Sequence, residues 1–371
     1  MRPVSPRQSR PTLKDVAERA GVSTATVARV LHGNGYVAEE TRKVVESVVE
    51  ETGYLINAVA QGLRKQRTFT LGHVLQSIAP NPFFAGVALG VEKEATQHGC
   101  GVVLYTTQVD ADRERKGVET LIRRRVDAII FTKIAHEANV MLAAGAGIPI
   151  VQVERVCSVQ TDSVTANNYP GACEATRHLI ELGHQKIAFL GVAPARFPLP
   201  GGDQSAGLAR DCGSVECERL SGFLDALAAA KLPVREELMD LGGTYYALDW
   251  ARTAMRRMLA LPLDHRPTAV FATCDMLAAG ALQEIHAQRM RVPDDISVVG
   301  FDDTYASYLT PPLSTARQPM FEMGQAAARL AIEALQAPPE HRTPQSERLS
   351  THLVVRESTC RVSGSGNHIA S

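Results

Sequence analysis

Apolar residues follow two different spacings along the chain. Near its start they recur every three or four positions, as on one face of an α-helix. From Phe69 onward, short unbroken apolar runs alternate with helical patterns. The helically spaced positions are Leu13, Val16, Ala17, Ala20, Val27, Val30 and Leu31. This contrast predicts a small helical head followed by a larger α/β body.

Local signals mark the ends of the helices in the head. Thr12 with Asp15 three residues later has the spacing of a capping box, and Gly21 can end the first helix in a left-handed conformation. Ser23 is a suitable cap for a second helix, TATVARVLH. Two short helices joined through Gly21 predict a helix-turn-helix. A third helix, about Glu39–Thr52, closes a small three-helix core.

The apolar runs after Phe69 have the composition of buried parallel strands. Their alternation with helical patterns predicts doubly wound parallel sheets. The strand candidates are TLGHVLQ, CGVVLYT, DAIIFT, IPIVQVE, KIAFLG, TAVFAT and ISVVGFD. The helix candidates are Ala85–Gln97, Arg113–Arg124, Tyr169–Leu182, Arg219–Ala230, Leu248–Leu259 and Met276–Gln288.

Charge is divided unevenly along the chain. Residues 1–67 contain eleven Lys and Arg against seven Asp and Glu, a net charge of +4, while the rest carry 28 basic and 33 acidic side chains, or −5. A basic end on an acidic body is expected when that end binds a polyanion, with chance clustering as the alternative. No apolar stretch approaches the ~20 residues of a membrane helix, and the first ten residues lack a signal-peptide core. We therefore expect a cytoplasmic protein without a membrane span.

Motifs that carry enzyme chemistry are not found. The seven cysteines are odd in number and contain no CxxC pair, so they predict neither a disulfide framework nor a zinc site. The chain contains no GxSxG, GxxxxGK or HExxH motif. We expect no enzyme activity, no cofactor and no metal. A sugar-modifying enzyme and a two-lobed sugar-binding protein without a DNA-dependent role stay open as alternatives.

The stretch TLKDVAERAGVSTATVARVLHGNGYVAEETRKVVESVVEETGYLINAVAQGLRKQ resembles the DNA-binding head of the LacI/GalR family of bacterial transcription regulators. The resemblance implies that the helix beginning near Ser23 enters the major groove, with Thr24 and Ala25 at base-reading positions. Arg29 matches a base-contacting arginine, and an arginine can pair bidentately with guanine; a solvated face or a phosphate contact is the alternative. The DNA-binding set is Thr12, Ser23, Thr24, Ala25, Thr26, Arg29, Asn57, Ala60, Leu63 and Arg64.

By the same resemblance, Asn57–Leu63 is a hinge helix that is too short to persist alone in water. Two such helices of a dimer would pack together on DNA and insert Leu63 into the minor groove. Arg64 would then reach the groove edge or a phosphate. An ordinary apolar linker position is the alternative for Leu63.

The body resembles the effector domain of this family, a two-lobed fold of the periplasmic-binding-protein-like type I. The segments that carry this resemblance are NPFF, LGHQKIAFLG, ERLSGF, DISVVGFDDT and ARQPMFEMG. The implied organisation is a basic disordered arm at 1–11, a helix-turn-helix domain at 12–56 and a hinge and linker at 57–67. The two-lobed effector domain follows at 68–360, with lobe one about 68–166 and 318–345, lobe two about 167–317, and a disordered tail at 361–371.

The resemblance places an effector in the cleft between the lobes, beyond the carboxyl ends of the strands. Asp302 and Glu154 can accept hydrogen bonds from hydroxyls, and Arg219 can donate to adjacent oxygens or to a carboxylate. Phe83 or Tyr245 can cover an apolar ring face. For the two aromatics the alternative is packing in the core. For Asp302 the alternative is capping a turn, and for Arg219 it is an ion pair with a neighbouring carboxylate. The cleft set is Phe83, Glu154, Arg219, Tyr245, Cys274, Asp302 and Met320.

Some cleft positions depart from the family pattern. Cys274 stands where an asparagine is common, Met320 replaces an aromatic residue of some members, and Ala166 sits where aspartate is frequent. Asp275 is assigned to capping the helix that begins at Met276.

The resemblance implies a transcriptional regulator, most simply a repressor, that binds a palindromic duplex-DNA operator as a homodimer, with a tetramer as the alternative. The implied effector is a sugar, sugar acid or sugar phosphate. The fold class that follows is an all-α helix-turn-helix head joined to a two-lobed α/β effector domain.

Overall fold

The computed structural model describes residues 11–54, 67–192, 214–242, 247–336 and 343–362. The chain divides into two compact units at residues 68 and 69. The first unit is the helical head, and the second contains both α/β sheets.

Three helices form the head: α1 Leu13–Ala20, α2 Thr24–His32 and α3 Glu39–Thr52. These bounds confirm the helices predicted from the caps and the apolar spacing. Each helix ends at a glycine with positive φ, a conformation that an L side chain rarely adopts. The buried core of the head consists of Val16, Ala17, Val27, Val30, Val45 and Val48.

The body contains twelve strands and eight α-helices within its described residues. The strands are β1 Thr70–Leu75, β2 Gly101–Thr106, β3 Ala128–Thr132, β4 Ile150–Val153, β5 Asp162–Asn167, β6 Ile187–Leu190, β7 Met239–Asp240, β8 Ala269–Ala272, β9 Ser297–Asp302, β10 Ser314–Arg317, β11 Ser346–Ser350 and β12 His352–Val354. The helices are α4 Phe83–Gln97, α5 Ala111–Arg123, α6 Glu137–Gly145, α7 Asn168–Glu181, α8 Val215–Ala229, α9 Leu248–Leu259, α10 Asp275–Ala287 and α11 Met320–Ala334. Two 3₁₀ helices cover Glu236–Leu238 and Ala306–Tyr308.

Two six-stranded sheets define the two lobes. The first has the order β11-β5-β4-β3-β1-β2 and is wholly parallel. The second has the order β12-β10-β9-β8-β6-β7, with β12 antiparallel to β10 and the other pairs parallel. Both are open sheets of the predicted doubly wound type.

The chain passes between the sheets three times, after β5, after β10 and after β11. The third passage differs from the expected boundary. Ser346–Ser350 pairs with β5, so the first lobe continues past residue 345, and only β12 returns to the second sheet.

After β10 the chain returns to the first lobe, where α11 packs closely on α4. A Cβ at Gly90 would lie 2.0 Å from the carbonyl oxygen of Phe321, and one at Gly324 would lie 2.1 Å from that of Val87. Only glycine allows two helix backbones to approach this closely. The contact fixes the first turn of α11, which begins at Met320.

One cysteine departs from the sequence prediction. Cys217 is disulfide-bonded, whereas the scattered cysteines predicted no disulfide. The prediction failed there because an isolated bond leaves no recognisable spacing in the sequence. Five others are free thiols: Cys100, Cys157, Cys173, Cys274 and Cys360.

Candidate functional site

The turn between α1 and α2 is fixed by side-chain caps at both helix starts. The backbone N–H of Thr12 donates to Asp15 Oδ2 at 2.7 Å, and the N–H of Asp15 donates back to Thr12 Oγ1 at 3.3 Å. This is the capping box that the sequence predicted, and its hydrogen bonds from Thr12 lower the pKa of Asp15. Gly21 has φ +66°, so the chain turns there into the second cap, Ser23.

Helix α2 begins at the cap residue Ser23 and exposes one face to solvent. The N–H of Thr26 donates to Ser23 Oγ at 3.1 Å, and the two hydroxyl oxygens lie 2.9 Å apart. Thr24, Ala25 and Arg29 are exposed. Within the head, the predicted base-reading residues therefore share one helix whose opposite side is buried.

The hinge prediction lies outside the described residues. Asn57, Ala60, Leu63 and Arg64 belong to the segment 55–66, so their roles stay predictions. The same holds for Tyr245, which lies in the segment 243–246.

In the body, Arg219 lies where strands of the second sheet end. Its Nε donates to Asn168 Oδ1 at 3.0 Å, and its Nη1 donates to the carbonyl oxygen of Thr273 at 2.5 Å. Its guanidinium carbon is 4.0 Å from the centroid of the Phe301 ring. The side chain is almost fully buried, so these contacts fix its orientation.

Asp302, at the end of β9, lies beside this arginine. Arg219 Nη2 is 3.4 Å from Asp302 Oδ1, and Gln318 Nε2 donates to the same oxygen at 2.6 Å. Burial raises the pKa of Asp302 to about 6, although Arg219 and Gln318 oppose this effect. Asp302 also has φ +106°, a conformation that costs energy in a residue other than glycine. Backbone strain at a strand end is common where a side chain must reach a functional site.

The first lobe brings Glu154 and Arg155 to the same region from the end of β4. Arg155 Nη1 donates to Glu216 Oε2 at 3.0 Å, and a second contact makes the pair bidentate. Because Glu216 belongs to α8, this ion pair joins the two lobes. Burial opposes the ionisation of Glu216, but Arg155 outweighs it and lowers the pKa of that carboxyl. The negative charge of Glu154 acts with burial to raise the pKa of Asp302, and the Arg155–Glu216 contact shows that the end of β4 lies against α8 of the second lobe.

Two predicted cleft residues serve mainly in packing. Phe83 is 2% exposed and meets the ring of Phe84 edge to face at 5.4 Å between centroids, within the first lobe's core. Met320 packs against that core beside Gly86. Phe83 therefore packs in the core of the first lobe, which was the alternative to a ligand contact. Whether Phe83 or Met320 also contacts a ligand stays a prediction.

The assignment of Asp275 as a helix cap is wrong. The helix begins at Asp275 itself, and its N-cap residue Cys274 makes no side-chain capping bond. Asp275 Oδ2 instead accepts the N–H of Thr304 at 2.7 Å, and Oδ1 accepts the hydroxyl of Thr315 at 2.8 Å. The carboxylate therefore ties α10 to the segments after β9 and in β10. Burial raises its pKa to about 7, with Asp302 acting in the same direction.

Several residues at the strand ends were missed by the sequence analysis. Each follows a strand or crossover of the fold: Gln76, Lys133, Asn168, Thr273 and Gln318. Lys133 has φ +61°, and burial lowers the pKa of its ammonium group. The usable signal was position, because a polar residue directly after a buried parallel strand points toward the ligand edge of the sheet.

Two further findings concern the parts of the chain that the structure describes. No helix there is long and apolar enough to cross a membrane. No group of three or more histidine, cysteine, aspartate or glutamate side chains is arranged to hold a metal ion.

A helical DNA-binding type of head and a two-lobed ligand-binding body define a class of ligand-responsive regulator. Comparison with known families agrees with both halves. Residues 12–57 match the family described as "Bacterial regulatory proteins, lacI family", and residues 176–359 match "Periplasmic binding protein-like domain".

Similarity to individual proteins extends over nearly the whole chain. The HTH-type transcriptional regulator CelR of Thermobifida fusca is 35% identical over 363 residues, covering 95% of this chain and 99% of CelR. The solved structure of a transcriptional regulator CelR-cellobiose complex has a TM-score of 0.66 at 31% identity, covering 94% of this chain and 100% of that one. The lac repressor dimer bound to operator and the anti-inducer ONPF has a TM-score of 0.75 at 27% identity, covering 94% and 99%.

The chain belongs to the LacI family of bacterial regulatory proteins. It is a DNA-binding transcriptional regulator with a helix-turn-helix head and a two-lobed α/β body. Members of this family are transcriptional regulators and not enzymes, which removes the sugar-modifying enzyme as an alternative.

Proposed function

We propose that this protein is a repressor that binds a palindromic operator as a homodimer and responds to a sugar-like effector in the cleft between its lobes. The observation that carries the effector half is the convergence of buried polar side chains between the lobes: Arg219 of α8 lies against Asp302 at the end of β9, and Arg155, next to Glu154 at the end of β4, binds Glu216 of α8. Buried polar groups that converge between two lobes are typical of a small-molecule site. A sugar, a sugar acid and a sugar phosphate all offer oxygens that such groups bind.

The DNA half of the proposal assigns α2 to the major groove. Its exposed residues Thr24, Ala25 and Arg29 would face the base edges, with Arg29 on a guanine. Thr12, Ser23 and Thr26 sit at the helix starts, where backbone N–H groups and hydroxyls suit phosphate contacts. Asn57, Ala60, Leu63 and Arg64 would form the hinge that enters the minor groove.

The named relatives support both halves. One solved structure is a dimer on its operator with an anti-inducer, and another is a complex with cellobiose. By analogy we assign Phe83, Tyr245, Cys274 and Met320 to the cleft wall. We also infer that the protein resides in the cytoplasm on the nucleoid, where its operator lies.

The test begins with duplexes enriched from a random pool by the full-length protein. We expect the enriched sequence to be a two-fold palindrome, because one head reads one half-site. Fluorescence anisotropy should then show affinity that falls steeply with salt, since bound phosphates release counterions. Enrichment of no sequence, or of one asymmetric half-site, would contradict the dimeric operator.

A further inference from the structure

Four charged residues form a cluster between the lobes, hereafter the charge cluster: Lys133, Glu154, Arg155 and Glu216. Lys133 follows β3, Glu154 and Arg155 follow β4, and Glu216 lies in the first turn of α8. Arg155 binds Glu216 through its guanidinium, and its Nε lies 3.7 Å from Glu154 Oε2. The side chains of Glu154 and Glu216 are 11% and 6% exposed, so solvent screens them little.

Lys133 adds a second cation to this cluster. Its ammonium is 6.0 Å from the centroid of the Phe84 ring. Burial lowers the pKa of Lys133, while the charges of Glu154 and Glu216 act in the opposite direction. With Arg155, Lys133 gives the cluster two cations, and its charge interacts with both carboxylates.

In the second lobe, the positive charge of Arg219 is likewise compensated by a neighbouring carboxylate. Arg219 lies against Asp302, and its remaining hydrogen bonds go to protein oxygens. A buried anion is stable only where a cation or several donors compensate it. The cations of this region already have carboxylates beside them, so a carboxylate or phosphate ligand would meet no excess of positive charge.

Several buried hydrogen-bond acceptors lie at the strand ends around the charge cluster. Among the described residues, the buried oxygens that accept no hydrogen bond include Gln76 Oε1, Glu154 Oε2 and Gln318 Oε1, and the donor Arg155 Nε lies 3.7 Å from Glu154 Oε2. The hydroxyl of Thr273 also has no partner there. Gln76, Glu154 and Thr273 directly follow β1, β4 and β8, and Gln318 directly follows β10. Unpaired acceptors of this kind require donors, which a hydroxyl supplies and an ionised carboxylate or phosphate does not.

We propose that the charge cluster makes the cleft selective for an uncharged, polyhydroxylated effector and excludes sugar acids and sugar phosphates. This inference rests on the proposed effector site and narrows its ligand class. The hydroxyls of the ligand donate to Glu154, Gln76 and Gln318 as the lobes close on it. Glu216 keeps Arg155 and Lys133 neutralised, so that neither attracts an anion.

The test uses the full-length protein and matched ligand sets. Each set holds a neutral mono- or disaccharide, its aldonic acid and its terminal phosphate, with ribose, glucose and cellobiose as the first three, followed by a broad panel of neutral sugars and polyols. Thermal shift identifies binders, because a ligand that binds only the native state raises Tm, and calorimetric titration then gives each Kd. We expect a neutral member to bind at least about tenfold more tightly than its charged counterparts. An acid or phosphate that binds as well, or a panel without any neutral binder, would overturn the inference.

A charge variant separates this role from simple structural support. Glu216→Gln leaves Arg155 and Lys133 in excess, so the preference for the neutral ligand over its acid should fall by about tenfold or more. Glu218→Gln is the matched control: it sits two residues away on α8 and pairs with Arg348 of the first lobe, but it is not part of the charge cluster. An equal loss of affinity for neutral and acidic ligands in both variants would show a merely structural role.

Lys133→Met keeps the proposal testable if Glu216→Gln does not fold. Removing this cation should further weaken binding of the acid, the opposite direction from Glu216→Gln, and an increase in acid binding would contradict the inference. Operator binding is measured in parallel on the same preparations. Loss of DNA binding by the unmodified protein would defeat the proposed function, whereas the ratio of neutral to acid affinity tests the charge cluster alone.

Discussion

Arg219 and Asp302 form a buried ion pair at the strand ends of the second lobe, with Nη2 3.4 Å from Oδ1 and side chains 3% and 6% exposed. The pair joins α8 to the end of β9, and the arginine also binds Asn168 and Thr273. A planar guanidinium makes these contacts at once, which an ammonium group cannot do.

Arg219→Lys should therefore abolish the response to effector while leaving operator affinity within about twofold. The charge is kept, but the fork to Asn168 and Thr273 is lost, so the ligand-binding surface is no longer held in place. Operator anisotropy with and without effector measures the response. Arg348→Lys, at a half-exposed pair, is the control and should keep it. A retained response in Arg219→Lys would show that this residue does not organise the cleft.

Stability should depend on pH through Asp302. Burial raises its pKa from 3.8 to about 6, so between these values the folded chain holds a proton that the unfolded chain has released. The free energy of unfolding must then fall as pH rises through this window. Asp302→Asn should remove that contribution, about 1–3 kcal/mol, and make the fall shallower, while Asp275, whose pKa is also raised, keeps part of the slope. Urea titration followed by Trp250, the one tryptophan of the sequence, reports the body. The control Asp249→Asn, at a side chain 92% exposed, should leave the slope unchanged.

The head should unfold when its small core is reduced. Val45 is fully buried in the head core, whereas the adjacent Val44 is 48% exposed on the same helix. Val45→Ala should cost about 1–3 kcal/mol, a large share of what so small a core supplies. Operator binding should weaken, and helical circular dichroism should be lost at a lower temperature, with no change in the Trp250 transition. Val44→Ala should change none of these, and equal effects of the two variants would contradict the assigned core.

Base reading should depend on Arg29. Arg29→Ala should cost about 1–3 kcal/mol of operator affinity and relax specificity at one base pair of each half-site. Arg19→Ala, at an exposed arginine on α1, is the control that removes the same charge and should leave base specificity unchanged. Affinity for the operator and for its single-base variants measures both effects. A uniform loss across all sequences, with a smaller salt slope, would make Arg29 a phosphate contact instead.

How far the sequence predicts this protein depends on whether a signal is local. Thr12, Asp15, Gly21 and Ser23 act within a few residues of one another, so the head helices could be predicted to the residue. Continuous apolar runs likewise revealed β1 to β4, β6, β8 and β9, but the more polar interior strands β5 (DSVTAN) and β10 (STAR) were missed. The edge strand Ser346–Ser350 was missed because its exposed and half-buried positions alternate and its sequence is polar.

The site required information that no local pattern carries. The ion pair between Arg155 and Glu216 joins residues 61 apart, and its existence depends on how the two lobes meet. Asp275 has a sequence position that suits a cap, yet its carboxylate binds Thr304 and Thr315, which only the register of β9 and β10 places there. The positions of Lys133 and Gln76 directly after strands could have indicated that they lie at the ligand edge of the sheet. The residues that they face could not be predicted in this way.

The most direct measurement of the central claim is a pair of titrations on the full-length protein. One measures operator affinity with and without saturating effector, and the other measures effector affinity with and without saturating operator. If the cleft controls the head, the two affinities must change by the same factor, because coupling between two sites is reciprocal. We expect a shared factor of about 5–150, typical of such coupling. An operator affinity that does not change at saturating effector would contradict the account.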